Sequence, residues 1–107
     1  MKNLNTTIFN SLLKIEAIQT DFISEKISFN KAIQHLTEIE LNATNLFDEF
    51  ILSSKTNPSL NAFKTPMKTY LNNIKNLTSL SEDDMRYYFQ YHTLIAAINY
   101  YHFSSLF

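Results

Sequence analysis

There is no glycine anywhere in the 107 residues of this chain. Average usage would supply roughly seven, and their absence withdraws every backbone geometry that depends on a residue without a Cβ. Walker-type phosphate loops, dinucleotide-binding fingerprints and nucleophile elbows are excluded on that ground. Cysteine is absent as well, which removes a disulfide framework, a thiolate zinc site, an iron–sulfur cluster and a cysteine nucleophile. Any function must therefore come from side chains displayed on regular elements.

The length suits one domain spanning 1–107, large enough to bury an unaided core. Nine Lys+Arg stand against ten Asp+Glu, so no global field draws the chain to nucleic acid or to an anionic membrane. The longest aliphatic run, Leu94 to Ile98, is far short of the ~20 residues of a membrane span. The first residues lack the apolar segment of a secretory signal, and a cytoplasmic location is expected. Abundant Asn and Lys beside a single Arg86 suit an AT-rich genome, such as a phage or mobile element.

The spacing of apolar residues predicts an all-α fold. From about Asn3 to Ser24, residues Leu4, Ile8, Leu12, Ile15, Ile18 and Phe22 recur on one helix face, widened by Phe9, Leu13 and Ile23. Ser28 suits the N-cap of a second helix over Phe29 to Ser53, whose apolar face runs from Phe29 and Ala32 to Phe50 and Ile51. Asn57-Pro58 and Thr65-Pro66 are consecutive start signals for a third. Either Thr65 caps a helix from Pro66 to Leu77 after a short turn, or one helix is kinked at Pro66. Leu60 and Phe63 are in phase with Met67, Tyr70, Leu71, Ile74 and Leu77, which favours a kinked or nearly coaxial pair over the alternative of a plain loop. Ser81 and the acidic run Glu82, Asp83 and Asp84 open a last helix to about Ser104. Without glycine, the helix ends are expected to use Asn, Ser or water-satisfied carbonyls, asparagine being the next most tolerant of the left-handed cap position. The architecture expected is an antiparallel up-down-up-down four-helix bundle, its third helix kinked or split near Pro66.

The last helix carries more apolar surface than one core contact explains. Its polar sector is narrow, with Glu82, Arg86, Gln90 and Thr93 the main contributors, and the rest of the circumference is largely aromatic or aliphatic. Such a helix is expected to be covered on more than one side. A partner interface is assigned to Tyr87, Tyr91, Leu94, Ile98, Tyr101, Phe103 and Phe107, with a homodimer as the simplest partner.

Within that arc Tyr88, His92 and Asn99 form a polar seam, and Glu40 falls inside the apolar arc of the second helix. A carboxylate so placed needs a partner, and a buried network of Glu40, Tyr88, His92 and Asn99 is the expectation. It could also line a pocket for a small ligand. No Glu-x-x-His, His-x-x-x-His or His-Glu-x-x-His spacing occurs, so no metal site is assigned. His92 and His102 are ten residues apart, about 15 Å along a helix. No catalytic residue and no cofactor are assigned.

The one charge asymmetry lies between Ile51 and Ser81, which contains lysines and no acid. Lys64, Lys68 and Lys75 share one stripe, flanked by Asn61 and Asn72. It could meet phosphates, but it holds no arginine and no aromatic for base stacking, which weighs against nucleic acid. The reading from sequence is a non-enzymatic protein-interaction module, by class analogy a small inhibitor or immunity-type binder that occludes a partner surface. A ligand-binding bundle and a nucleic-acid regulator acting through the lysines are the rival expectations.

Overall fold

Leu4, Ile8, Leu12, Ile15, Ile18 and Phe22, the stripe expected of the first helix, are all buried along α1, Leu4–Ile23. The computed structural model describes residues 4–105, the side chain of Phe103 excepted. Helix α2, Phe29–Thr56, begins where Ser28 caps it, the Ser28 hydroxyl accepting from the Lys31 amide at 3.1 Å. At 1.5 Å per residue a helix of this length measures about 42 Å. It thus sets the long dimension of the bundle, 45 Å against 22 and 19 Å across.

A 3-10 turn over Pro58–Phe63 leads directly into α3, Lys64–Thr78. Asn57 caps the turn through Oδ1, which accepts from the Ser59 amide and hydroxyl. The expected split is present, but it falls between Phe63 and Lys64, and Thr65 does not act as a cap. Pro66 lies in the first turn of α3, where its missing N–H removes no helical hydrogen bond. Leu60 and Phe63 pack against the core beside the buried Met67, Tyr70, Leu71, Ile74 and Leu77, as their shared phase requires. Helix α4, Glu82–Ser104, starts at Ser81, whose hydroxyl accepts from the Asp84 amide at 3.1 Å.

The helices pack in a ring, α1 on α2, α2 on α3, α3 on α4 and α4 back on α1. With connections of only a few residues, successive helices run antiparallel. Fully buried Phe50, Phe89, Ile8, Ile15 and Met67 form the centre. Among the described residues no helix is long and apolar enough to cross a membrane.

The end of α1 corrects an expectation. Glu25, not Asn or Ser, takes the left-handed position, at φ 63°. The Lys26 amide donates to the Asp21 carbonyl at 2.8 Å and the Glu25 amide to Phe22 at 3.1 Å, the paired closure of a Schellman motif. A residue with a Cβ carries that geometry at a cost of about 1 kcal/mol.

Candidate functional site

Along α4 burial and exposure separate cleanly. Met85, Phe89, Thr93 and Ala96 are buried, whereas Tyr87, Tyr91, Leu94, Ile98 and Tyr101 are exposed, from 58% at Leu94 and Ile98 to 76% at Tyr87. The exposed five are spaced by four, three, four and three residues. That 3.5-residue repeat keeps them within about 40° of one line on the outer side of the helix. Five of the seven residues assigned to an interface from sequence are thus brought into one uncovered stripe. Phe107 lies outside the described residues, and of Phe103 only the backbone is described.

The polar sector of α4 has a different role from the one its composition suggests. Thr93 is buried, and its hydroxyl donates to the Phe89 carbonyl at 2.9 Å, which leaves it no unmet polar group. Arg86, Gln90 and Ala97 face α1 across a groove of about 850 Å³, with Glu16, Gln19 and Ile23 on the other wall, and the groove is also lined by Tyr87 and Leu94 of the stripe. Toward the opposite end Tyr100 packs on Phe9, ring centroids 5.4 Å apart. This sector is therefore the α1-facing flank.

Phe9, Leu13 and Ile23 are exposed rather than core. Their helical spacing sets them on the flank of the buried α1 stripe, where they are expected to widen it. Their burial depends on how closely α4 approaches, which periodicity does not encode. Phe9, against Tyr100, and Ile23, in the groove with Leu94, extend the apolar surface of α4 onto the neighbouring helix.

The expected buried polar network does not form. Glu40 is only part buried, and its Oε1 accepts a 2.7 Å hydrogen bond from the Thr78 hydroxyl of α3. Tyr88 is exposed, 53% of its surface remaining open. Asn99 is half-buried, and His92 keeps a buried Nδ1 without a protein hydrogen-bond partner, as does the Nδ2 of buried Asn73. Glu40 lies on the side of α2 that meets α3, so neither the His92 nor the tyrosine pairing suggested by the wheel is made. Two smaller grooves, of about 580 and 330 Å³, sit at the α1–α2 turn and between α1 and α2. None of the three grooves is lined by Glu40, Tyr88 or His92.

Lys64, Lys68 and Lys75 are all exposed on one side of α3. Tyr70, on the core side of the same helix, has its phenol pushed above the ordinary value of 10.0 by burial, with the Ser11 hydroxyl offsetting part of the rise. Among the described residues no three His, Cys, Asp or Glu side chains gather as a metal ion requires.

The fold is that of an all-α four-helix bundle, and its most distinctive surface is the uncovered apolar stripe on α4. The chain matches no protein-family model, no curated protein and no solved structure.

Proposed function

We propose that the chain is a non-enzymatic protein-interaction module that acts by occluding a partner surface, as a small inhibitor or immunity-type binder does, and that it works as a homodimer. The observation that carries this reading is the row Tyr87, Tyr91, Leu94, Ile98 and Tyr101, apolar or aromatic, uncovered and in register on one helix. With an aromatic side chain worth about 200 Å², the row exposes roughly 600 Å² per copy. That is at the upper end of the roughly 300–600 Å² of the largest bare patch on a typical monomer. Adding Phe9, Ile23 and Tyr88, all partly or largely exposed, brings the surface near the ~800 Å² per partner of a standard interface. Tyrosine suits such a surface, since its ring is buried on association while its hydroxyl reaches the wet rim.

The stripe favours a second copy over a pocket-filling ligand because its 3.5-residue repeat is the spacing by which helices interlock side by side. On α3, the helix next to α4 in the ring, Lys64, Lys68 and Lys75 remain exposed in a stretch without acids, and suit an acidic protein surface as the second partner. Sedimentation equilibrium tests the reading. The unmodified chain is expected to dimerise and Leu94→Glu to be monomeric with an unchanged helical circular dichroism spectrum. A strict monomer at high protein concentration would overturn the homodimer.

A further inference from the structure

We infer that the two copies pair antiparallel through α4, with Leu94 on the two-fold axis and Tyr87 of each copy beside the partner's Tyr101. The inference rests on the proposed self-association and specifies its geometry.

The first argument is the symmetry of the stripe. Tyr87 and Tyr101 both lie seven residues from Leu94, while Tyr91 and Ile98 lie three and four residues from it on opposite sides. Reversing the direction of α4 about Leu94 therefore superposes tyrosine on tyrosine at the ends and sets Tyr91 against Ile98 between them. Such an isologous contact closes on itself and leaves no apolar remnant to recruit a third copy.

The second argument is electrostatic. Glu82, Asp83 and Asp84 all occupy the first turn of α4, and the only basic side chain in its last turn is His102. Parallel pairing would stack the two acidic turns and align the two helix dipoles, both unfavourable. Antiparallel pairing sets each acidic turn beside the partner's carbonyl-rich helix end only at the extremities, near His102, and separates the two acidic clusters by the length of the interface. Along the middle the positions that flank the stripe are Tyr88, Gln90, Ile95 and Ala97, none charged, so nothing there opposes this direction.

The absence of cysteine from the chain makes the test clean. Single-cysteine variants Leu94→Cys, Tyr87→Cys and Tyr101→Cys are oxidised mildly and run on a non-reducing gel. Antiparallel pairing predicts a covalent dimer for Leu94→Cys alone and for a mixture of Tyr87→Cys with Tyr101→Cys, and little for either tyrosine variant by itself. Self-crosslinking of all three would establish the parallel arrangement and overturn the inference. A spin label on Asp84→Cys, one turn before Tyr87, provides a reading that leaves the five stripe residues and the acids Glu82 and Asp83 in place. Antiparallel pairing places the two labels roughly 30 Å apart, at 1.5 Å per residue, whereas parallel helices 8–10 Å apart keep them within about 20 Å. A short label distance in a chain that sediments as a dimer overturns only the direction of pairing, while a monomer by sedimentation overturns self-association itself.

Discussion

The Thr78 hydroxyl donates a 2.7 Å hydrogen bond to the Glu40 carboxylate, tying the last turn of α3 to the middle of α2. The bond is part buried, and hydrogen bonds to charged groups contribute about 1.5–3 kcal/mol when well shielded. Thr78→Val and Glu40→Gln are each expected to lower stability by about 1 kcal/mol in urea unfolding. The double variant should lose less than the two together. Strict additivity would show that the contact carries no coupling energy.

Glu25 holds a positive φ at the end of α1. Glycine reaches that conformation without a Cβ penalty, although it also gives the unfolded chain more freedom. Glu25→Gly is expected to raise stability by about 0.5 kcal/mol, while Glu25→Val, branched at Cβ, should lower it by more than 1 kcal/mol. Equal midpoints for the three chains would contradict the strain assigned to this turn.

Phe89 and Tyr91 lie two residues apart on α4, one fully buried and the other exposed. Phe89→Ala should cost about 3–5 kcal/mol, a large share of the 5–15 kcal/mol that holds a domain of this size together. Tyr91→Ala should leave the stability of the monomer within about 0.5 kcal/mol and weaken self-association instead. Thermal melts at low concentration, paired with sedimentation, separate the two effects. A large loss of monomer stability in Tyr91→Ala would mean that its ring packs within the bundle.

Burial raises the pKa of Tyr70 above 10.0. The unfolded chain therefore releases this proton first, and stability falls as pH rises above about 10 until the folded-state phenol also ionises. Below pH 10 the contribution is fully present. Tyr70→Phe is expected to flatten the alkaline limb of the stability profile, and an unchanged limb would show that Tyr70 does not drive it.

Much of the fold was legible because burial follows helical period. The six core positions of α1, the Ser28 cap and the in-phase Leu60 and Phe63 follow from local spacing and capping chemistry, as does the exclusion of glycine- and cysteine-dependent sites. The excess of apolar residues on α4 was legible too, with Tyr87, Tyr91, Leu94, Ile98 and Tyr101 already among the interface positions it suggests. Tertiary structure decided that the bundle itself does not cover them, because it packs on the Met85 and Phe89 side of the helix and leaves these five open. It also decided that Glu40 meets Thr78, and that Phe9, Leu13 and Ile23 stay exposed. A helical wheel gives the angle of a side chain about its own axis. The depth and angle at which a neighbouring helix packs determine whether that side chain is buried, and those are properties of the assembled bundle.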